Sequence, residues 1–349
     1  MTTPKPPAAD ALLSVRELRV AFGAVEVVRG LSFDVRPREV LALVGESGAG
    51  KSLTARALLG MVPAGATVSG SVRLREDGEP GRPRAYTELV GAARPALAAL
   101  RGRRIALVPQ DALSALSPVH PVGDQLAAAV RSVAGVSRGQ ARARAVAALD
   151  RVGIADAVRK ARAYPHEYSG GMRQRAVIAM ATVNEPDLVV ADEPTTALDA
   201  ELQEQVLRVL GEQREAVGAA LVLVTHDLGV VREHADRVLV MYAGREVEQG
   251  PAKGVLGRPR APYTAGLLAS LPPEEARGDR RLPSIPGAPP TPDALPPGCA
   301  FAPRCPLAEN RCRAAEPQPW RTDEGHEVSC HRWDEVPYPA TELFLEQPV

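Results

Sequence analysis

A glycine-rich segment carries the residue types that bind phosphate. It runs from Gly45 to Ser52 and fits the pattern G-x-x-x-x-G-K-[ST] at every fixed position. Glycines let backbone N–H groups turn toward phosphate oxygens, while a lysine reaches the β- and γ-phosphates and a serine hydroxyl binds Mg²⁺. The segment therefore predicts a nucleotide site formed by Gly45, Ser47, Gly48, Gly50, Lys51 and Ser52.

Two adjacent carboxylates follow an apolar run further along the chain. Asp192 and Glu193 come directly after residues 188–191. Asp192 at the end of a strand can hold Mg²⁺, directly or through water, and Glu193 would then lie beside the γ-phosphate as the general base for the attacking water. Taken alone, such a pair could also be two solvated acids without a function at the end of a strand. The presence of a phosphate loop in the same chain favours the catalytic interpretation.

The elements that must position these residues follow an alternating pattern. The apolar run Val40–Val44 predicts a buried strand that enters the glycine-rich loop, and residues 52–61 predict the helix after it. Strands that alternate with helices imply a parallel α/β sheet with right-handed connections. The other predicted strands are 105–108, 188–191 and 221–225, the other helices are 201–217 and 228–234, and a closing hairpin has strands at 237–242 and 246–247.

Three further stretches surround this pattern. Residues 12–35 contain short β-prone runs broken by Gly23 and Gly30, which predict an antiparallel sheet. Residues 64–100 are rich in Gly, Pro and Arg and are poorly patterned. Residues 122–163 contain no proline and place Ala, Arg and Leu at helical spacing, which predicts a small helical subdomain.

Composition limits the class of protein. The 349 residues correspond to about two domains, and 45% hydrophobic with 24% charged residues is typical of a globular chain. Lys+Arg and Asp+Glu both number 42, so the net charge is zero, which disfavours electrostatic binding of nucleic acid by the overall charge of the protein. No apolar run approaches the ~20 residues that cross a bilayer, and the N-terminus lacks the apolar core of a signal peptide. We expect a cytoplasmic protein that needs partners for any work at a membrane.

Four cysteines lie in the last 51 residues with the spacing C-x5-C-x6-C-x17-C. In the cytosol, clustered cysteines indicate metal ligation more than disulfides. Structural zinc sites favour closely spaced cysteine pairs, which are absent here, whereas wide and irregular spacing fits a cubane iron–sulfur cluster better. We expect the cluster to be structural, because the Pro-rich tail has a small core of its own. The candidate ligands are Cys299, Cys305, Cys312 and Cys330, with zinc, or free or disulfide-bonded cysteines, as the alternatives.

Residues 168–175, which read Tyr-Ser-Gly-Gly-Met-Arg-Gln-Arg, resemble the signature motif of ABC ATPases. Gln110 follows a predicted strand, as the glutamine of that family's Q-loop does, and residues 196–199 look like its D-loop. His226 also follows a predicted strand and looks like the family's switch histidine. Together with the phosphate loop and the acidic strand, six motifs stand in the family's order, and the resemblance covers about residues 12–250.

The resemblance implies roles for these residues. Ser169, Gly170 and Gly171 would bind the γ-phosphate held by a partner subunit, so that ATP lies between two domains arranged head-to-tail. His226 would contact the γ-phosphate and stabilise the arrangement of water and Glu193. The implied catalytic set is Glu193, His226 and Gln110, the implied Mg²⁺ ligands are Ser52, Gln110 and Asp192, and the other implied nucleotide contacts include Asp199 and Phe22.

One further position fits the family, and two positions of the signature depart from it. Phe22 lies 23 residues before Gly45, where the family places an aromatic ring that stacks on adenine, and a role in the core is its alternative. Tyr168 replaces the usual leucine of the signature, and Met172 replaces the usual glutamine. Methionine is usual at the latter position in one subfamily, the ATPases of oligopeptide and dipeptide importers.

Several segments resemble that subfamily in particular. Residues 164–175 are closely similar to it, and residues 111–118 and 193–199 match it again. Residues 260–264 and 297–306 resemble the C-terminal extension of the same ATPases, where members are thought to hold a [4Fe–4S] cluster. The chain is identified as a member of this subfamily.

The expected fold class is α/β. It consists of a P-loop ABC nucleotide-binding domain with a RecA-like core, an antiparallel β subdomain and a helical subdomain, followed by a Pro-rich, Cys-containing extension. The expected boundaries are a disordered tail at 1–10, the nucleotide-binding domain at 11–255 with its helical subdomain at about 110–185, and the extension at 256–349.

The resemblance implies the ATP-hydrolysing subunit of an ABC importer that energises uptake of oligopeptides or dipeptides. Its cofactors would be ATP, Mg²⁺ and a [4Fe–4S] cluster, with Zn²⁺ as the alternative to the cluster. Its partners would be a second, different ATPase subunit, two transmembrane permeases and an extracytoplasmic binding protein, with no nucleic acid. Its place would be peripheral, at the cytoplasmic face of the inner membrane.

Other functions stay open as alternatives. Nickel and oligosaccharide importers have similar ATPases. A soluble ABC ATPase acting on nucleic acid is disfavoured, because it would need a long coiled coil between Lys51 and Ser169, which are only 118 residues apart. A translation-type ABC protein is disfavoured, because it normally has two such domains in one chain and this chain has one. A binding module without catalysis is disfavoured as well, because it would not need the full set of catalytic residues.

Overall fold

Two β-sheets organise the chain, which a computed structural model describes at residues 8, 10–76, 85–196, 198–271, 283–322 and 326–344. A four-stranded antiparallel sheet has the order β2-β1-β4-β5, and an eight-stranded mixed sheet has the order β11-β12-β10-β9-β3-β8-β7-β6. The strands are β1 (Leu13–Phe22), β2 (Val25–Val35), β3 (Val40–Val44), β4 (Ala66–Arg75), β5 (Tyr86–Glu88), β6 (Ile105–Val108), β7 (Leu188–Asp192), β8 (Ala220–Val224), β9 (Arg237–Tyr242), β10 (Arg245–Pro251), β11 (Trp320–Arg321) and β12 (Glu327–Val328).

Helices connect these strands and cover the larger sheet. The α-helices are α1 (Lys51–Leu58), α2 (Arg94–Leu100), α3 (Ala112–Ala115), α4 (Val122–Val133), α5 (Arg138–Arg151), α6 (Ala157–Lys160), α7 (Gly170–Thr182), α8 (Ala200–Val217), α9 (Leu228–His234), α10 (Ala252–Gly257), α11 (Pro262–Ala269) and α12 (Asn310–Ala314). Short 3-10 turns lie at Pro165–Glu167, Ala302–Arg304 and Ala340–Phe344.

The parallel part of the larger sheet determines where the site forms. Strands β9, β3, β8, β7 and β6 are parallel neighbours, whereas β10, β12 and β11 extend the sheet in antiparallel fashion. All five residues of β3 and all five of β7 are buried, as expected of central parallel strands. The predicted α/β fold is confirmed. The carboxyl ends of β3, β6, β7 and β8 meet at one edge, where ligands bind in open α/β sheets.

The antiparallel sheet is larger than the sequence pattern indicates. The predicted pairing within residues 12–35 is confirmed by β1 and β2. Residues 64–100, which are poorly patterned, nevertheless contain β4, β5 and α2. Strand β4 alternates only weakly because much of its surface is exposed, and its pairing with β1 over Leu13 to Phe22 defines it instead.

A helical layer lies between β6 and β7 in the chain. The prediction of helices within residues 122–163 is confirmed by α4, α5 and α6. Small residues on α5, among them Ala141, Ala145 and Ala148, are fully buried against Leu126 and Val130 of α4 within one hydrophobic cluster. This cluster continues into α7, so the helix that begins at the signature motif is anchored to the helical layer.

The C-terminal part of the chain packs back onto the larger sheet. Tyr263 of α11, Phe301 and Phe344 belong to one hydrophobic cluster with Ala42 and Val44 of β3. Strand β12 adds to the sheet by pairing with β10. The residues predicted as an extension therefore share a core with the strand that leads into the phosphate loop, while the boundary at residues 255 and 256 stays a prediction.

Two further expectations concern the described part of the chain. Among the described residues, no helix is both long enough and apolar enough to cross a membrane. The predicted disordered tail falls largely on residues 1–7 and 9, which lie outside the described residues, as does Ala197 of the predicted D-loop.

Candidate functional site

The glycine-rich loop connects β3 to α1 in a shape that requires glycine. Gly45 has a φ of 150°, and a Cβ there would lie 2.2 Å from the carbonyl oxygen of Met241 on β9. Gly50 has a φ of 94°, and its Cβ would lie 3.0 Å from the carbonyl oxygen of Val27. The close neighbouring backbones keep the loop folded over the start of α1, where helix N–H groups point outward.

Lys51 is buried at the first residue of α1, with 5% of its surface exposed. Its ammonium donates hydrogen bonds to the carbonyl oxygens of Gly45 at 2.8 Å and Glu46 at 3.0 Å. Burial lowers the pKa of Lys51, although the carboxylates of Glu193, Asp192 and Glu46 raise it in part. The ammonium is thus held inside the loop, where it can meet a phosphate.

Ser52 and Asp192 meet although 140 residues separate them. The Ser52 hydroxyl donates to Asp192 Oδ1 at 2.7 Å. Asp192 ends β7 and is 2% exposed; burial raises its pKa, and the hydrogen bond from Ser52 opposes that shift. A hydroxyl and a carboxylate are hard oxygen donors of the kind that Mg²⁺ prefers. Two of the three predicted Mg²⁺ ligands are therefore adjacent.

Glu193 is the meeting point of the other predicted catalytic residues. Its Oε2 accepts hydrogen bonds from Thr196 Oγ1 at 2.8 Å and Gln110 Nε2 at 3.4 Å, and His226 Nδ1 lies 3.5 Å away. The Glu193 side chain is 16% exposed and that of His226 is 63% exposed. Glutamine and histidine residues that follow β6 and β8 are thereby gathered around one partly buried carboxylate that follows β7.

The sheet register brings these loops together. The Glu193 amide donates to the Val224 carbonyl oxygen at 2.9 Å, and the Thr225 amide donates to the Leu43 carbonyl oxygen at 3.1 Å. These bonds join the ends of β7 and β8, and of β8 and β3. The residues Glu193, His226 and the phosphate loop therefore occupy neighbouring positions along one edge.

Asp227 was missed by the sequence-based reasoning. Its Oδ1 accepts from the amides of Gly229 at 2.8 Å and Val230 at 3.3 Å, which caps α9, and its Oδ2 accepts from Gln203 Nε2 at 2.9 Å. Asp227, which directly follows His226, is thus held by the start of α9 and by Gln203 of α8. The signal was available, since an aspartate directly before the predicted helix 228–234 is a typical N-cap.

The signature residues lie apart from this cluster. Ser169 caps α7 by accepting from the Met172 amide at 3.3 Å, and Ser169 and Gly170 are exposed. Gly171 is buried, and a Cβ there would lie 2.9 Å from Leu202. Among the described residues, no hydrogen bond joins these three to the phosphate loop. The N-terminus of α7 is therefore exposed to solvent.

Tyr168 and Asp199 have structural partners. The Tyr168 ring is buried, and its hydroxyl donates to the Lys160 carbonyl oxygen at 2.8 Å. Burial raises the pKa of Tyr168 to about 12. The tyrosine thus fills the apolar position of the signature and also satisfies a carbonyl of the helical layer. Asp199 caps α8 by accepting from the Leu202 amide at 2.9 Å.

Phe22 ends β1 as a partly exposed side chain. It is 38% exposed and pairs with Val25 and Ala66 across the antiparallel sheet. Such exposure leaves ring surface available for a flat ligand.

The four cysteines line one pocket between the larger sheet and the C-terminal segment, with a cavity of about 60 Å³. Burial raises the pKa of the thiols of Cys299, Cys305 and Cys330, to about 11 for Cys305 and about 12 for Cys330. Cys312 is buried, and its carbonyl oxygen accepts from the Cys299 amide at 2.8 Å. Among the described residues, no three side chains of the His, Cys, Asp or Glu types converge closely enough to hold a single metal ion.

Basic side chains surround this pocket. Arg29, Arg245 and Arg332 line it together with His331. Arg29 and Arg245 both form ion pairs with Glu316, which follows Cys312 by four residues. The pocket therefore combines four thiols, one buried and three partly buried, with arginines that are paired with glutamates.

The comparisons with protein families identify two regions. A model of the ABC transporter family matches residues 28–196. A model of the C-terminal region of oligopeptide/dipeptide transporters matches residues 247–312. The first region contains the phosphate loop, the signature segment and Glu193, and the second contains three of the four cysteines.

Curated relatives match nearly the whole chain. The oligopeptide transport ATP-binding protein OppD of Mycobacterium tuberculosis is 49% identical over 330 residues, which cover 93% of this chain and 52% of that relative. The probable peptide ABC transporter ATP-binding protein y4tR of Sinorhizobium fredii is 44% identical over 336 residues, which cover 95% of this chain and 97% of that relative. This chain spans about half the length of the mycobacterial relatives.

Solved structures share the fold. A dimeric ATP-binding cassette in a post-hydrolysis state with ADP and Pi bound has a TM-score of 0.59 at 22% identity, and the match covers 69% of this chain and 99% of that one. The cbiO1 protein of Clostridium perfringens, part of the ABC transporter complex cbiONQ, has a TM-score of 0.56 at 26% identity, with 70% and 90% covered.

Proposed function

This chain belongs to the ATP-binding proteins of ABC transporters, and from that premise we propose that it binds Mg²⁺–ATP and hydrolyses it to energise the import of oligopeptides or dipeptides. The observation that carries the proposal is the convergence at one sheet edge of Lys51, the Ser52–Asp192 pair and the Glu193 cluster. This arrangement supplies a phosphate cation, hard oxygen ligands and a general base in one place.

The proposed hydrolysis assigns one task to each side chain. Lys51 neutralises the β- and γ-phosphates, and Ser52, Asp192 and Gln110 would hold Mg²⁺, which would supply further charge neutralisation at the phosphates. Glu193 orients the attacking water and accepts its proton while the bond between the γ-phosphorus and the ADP oxygen breaks. His226, 3.5 Å from Glu193, contacts the γ-phosphate and stabilises this arrangement.

The exposed start of α7 supports a dimeric site. We assign Ser169, Gly170 and Gly171 to the γ-phosphate held by a second ATP-binding subunit, because an exposed helix N-terminus can bind an anion and, among the described residues, no hydrogen bond joins it to the phosphate loop of its own chain. Phe22 and Asp199 complete the proposed nucleotide contacts, Phe22 by stacking on adenine. We expect the second subunit to be a different chain.

The peptide substrate is proposed from the relatives. Those named as peptide transport proteins share 44% to 49% identity with this chain, and the C-terminal match is to oligopeptide/dipeptide transporters. The ATPases of nickel and oligosaccharide importers stay the alternative, because substrates are selected by other subunits. The partners are two permeases and an extracytoplasmic binding protein, and the chain is placed peripherally at the cytoplasmic face of the inner membrane.

The helical layer offers a place for a permease to dock. A surface groove lies between α4, α5 and α6, lined by Gly123, Asp124, Arg142, Val146 and Ala161 among others. Val158 at this groove is 62% exposed. We propose that a helix of the permease lies there and transmits nucleotide-driven movement to the membrane path.

We further propose that the cysteine pocket holds a [4Fe–4S] cluster. Such a cluster takes four cysteine thiolates around a compact core, and the four thiols here line one cavity with arginines nearby. Iron would supply the positive charge that stabilises the four thiolates. Zn²⁺ is the alternative.

The test of ATP hydrolysis uses Lys51→Ala and Glu193→Gln. Lys51→Ala should weaken nucleotide binding by at least about tenfold, because it removes a charged phosphate partner. Glu193→Gln should keep ATP affinity and lower hydrolysis by about 10²- to 10⁴-fold, because the amide accepts no proton. It should also trap ATP-bound dimers, measured by size-exclusion chromatography. Hydrolysis at the wild-type rate in Glu193→Gln would show that Glu193 is not the base.

The test of the cluster is chemical analysis of anaerobically purified protein. We expect iron and acid-labile sulfide in equal amounts, together with visible absorbance, and we expect both to fall in Cys312→Ser. Arg313→Gln, an exposed change on the same helix, is the matched control. Protein without iron, sulfide or visible colour contradicts the cluster, and stoichiometric zinc in its place supports the alternative.

A further inference from the structure

The phosphate loop is held by an arginine from the far end of the chain. Arg304 donates from Nη1 to Glu46 Oε2 at 2.6 Å and from Nη2 to Glu46 Oε1 at 2.9 Å, so both carboxylate oxygens of Glu46 are bonded. The Arg304 side chain is 5% exposed, and that of Glu46 is 26% exposed. A buried, bidentate pair of this kind is among the strong and geometrically specific interactions in proteins.

The guanidinium of Arg304 is itself fixed by four further contacts. It donates to the carbonyl oxygens of Pro286 at 2.8 Å and Gly287 at 3.3 Å, and to the hydroxyl of Tyr242 at 3.2 Å. It also lies over the Phe301 ring, 5.9 Å from its centroid. These contacts hold the planar guanidinium in one orientation, with its two Nη atoms directed at the Glu46 carboxylate.

Glu46 connects this arginine to the phosphate lysine. Its amide donates to the buried Tyr263 hydroxyl at 2.8 Å, its carboxylate accepts from Arg304, and its carbonyl oxygen accepts from Lys51 Nζ at 3.0 Å. Three groups of one loop residue are therefore held, two of them by residues that follow position 260. The backbone of Glu46 is held further by the Ala49 amide, which donates to its carbonyl oxygen at 3.2 Å.

The same ion pair removes an electrostatic obstacle. Glu46 places a carboxylate in a loop that is proposed to bind a triphosphate, and like charges at close range repel each other strongly where water is scarce. The guanidinium of Arg304 neutralises the Glu46 carboxylate by forming an ion pair with it. Loss of Arg304 would therefore both release the loop and leave a free carboxylate beside the nucleotide.

We propose that Arg304 is a positioning residue for nucleotide binding, which holds the phosphate loop in its binding shape and neutralises Glu46. The inference rests on the proposed binding of ATP. Arg304 directly precedes Cys305, and Tyr242 and Phe301, which contact Arg304, also line the cysteine pocket. Arg304 therefore contacts both the phosphate loop and the aromatic lining of the cysteine pocket.

The experiment compares Arg304→Gln, Glu46→Gln and the double variant. Affinity for a fluorescent ATP analogue and thermal unfolding without nucleotide are measured on the full chain. We expect Arg304→Gln to bind about tenfold more weakly, as loss of a charge-assisted pair implies. The double variant should recover only the part of that affinity lost to the free carboxylate and should still bind more weakly than the wild type, because its loop is no longer held by Arg304. Arg313→Gln removes an exposed arginine of the same region and should leave affinity unchanged.

Two milder variants keep the test decisive if Arg304→Gln does not fold. Arg304→Lys retains the charge but not the planar fork, and Tyr263→Phe retains the ring but not the acceptor for the Glu46 amide. Both should bind ATP several-fold more weakly at an unfolding temperature close to that of the wild type. Wild-type affinity in both variants, or a fall in unfolding temperature of Arg304→Gln with unchanged affinity, would overturn the positioning role. A wild-type chain that binds no ATP would instead overturn the proposed function and the inference together.

Discussion

Among single residues, Glu193 has both an unusual backbone and an unusual set of neighbours. Its φ of 45° lies in the left-handed region, which residues with a side chain seldom adopt. Its amide is bonded to β8 and its carboxylate meets Thr196, Gln110 and His226. Strain of this kind persists where surrounding contacts determine the conformation, and it concentrates at functional sites. The backbone of Glu193 thus agrees with the role proposed for its side chain.

Gly45 provides a prediction at the same scale. A Gly45→Ala change places a Cβ 2.2 Å from the Met241 carbonyl oxygen, so the loop must move away from β9. We expect the free energy of unfolding to fall by about 1–3 kcal/mol and ATP affinity to fall with it, measured by urea unfolding and nucleotide titration.

Gly91→Ala is the matched control for this change. Gly91 also has a positive φ, 73°, but no atom lies within 4 Å of its Cβ position. It should lose stability through backbone strain alone and keep its ATP affinity. Equal ATP affinities in Gly45→Ala and the wild type would show that the loop tolerates the side chain.

Among the elements, the edge of the antiparallel sheet depends on one carboxylate. Glu88 on β5 accepts from the amides of Val72 at 2.7 Å and Val90 at 3.1 Å, and from the side chains of Ser71 and Arg73. Burial raises the pKa of Glu88, but these hydrogen bonds together outweigh burial and bring the pKa below its usual value of 4.5. Glu88 thus joins β5 to β4 in its charged form.

A pH dependence follows from the lowered pKa of Glu88. The charged form contributes stability above the unfolded-state pKa, and this contribution is lost as the pH falls through the lower folded-state pKa. We expect Glu88→Gln to be less stable than the wild type at pH 7 and the difference to shrink below about pH 4.5. Urea unfolding at each pH measures it, with the exposed Glu212→Gln as the control. A difference that grows on acidification would contradict this role.

The elements also show where sequence reasoning succeeds and where it stops. Strands β3 and β6 have the predicted bounds, because buried apolar runs mark them directly. Helix α9 also has its predicted bounds. Strand β4 was missed because its residues Thr67, Ser69 and Gly70 give little apolar alternation, and pairing with β1 decides its conformation.

The site divides in a similar way. The spacing of the phosphate loop and of Asp192 and Glu193 predicts their chemistry, but only the order of strands in the sheet brings Ser52 to Asp192. The contact between Arg304 and Glu46 joins residues 258 positions apart and has no local pattern at either end. Such contacts depend on tertiary packing, which periodicity does not encode.

At the scale of the whole molecule, strands β3 and β9 of the larger sheet share one core with the C-terminal segment, the residues that follow position 260. Phe301 meets Tyr242 of β9 at 5.3 Å between ring centroids and Tyr263 of α11 at 5.2 Å, both edge-on. Tyr242 is the last residue of β9, which pairs with β3, the strand that leads into the phosphate loop. The aromatic cluster therefore spans both parts of the chain. A cluster shared in this way favours a single cooperative unfolding transition over two.

Phe301→Ala tests that cooperativity. Removing a buried phenylalanine costs about 3–5 kcal/mol, and if the two parts unfold together the whole chain should melt earlier in one transition. Mg²⁺–ATP should still raise the temperature of that same transition, because a ligand of the folded state stabilises everything that unfolds with it. Calorimetry with and without nucleotide measures both effects, and Tyr338→Ala, at a side chain that is 72% exposed, should change neither. Two transitions, of which only the nucleotide-insensitive one moves in Phe301→Ala, would show instead that the C-terminal segment folds independently of the phosphate loop.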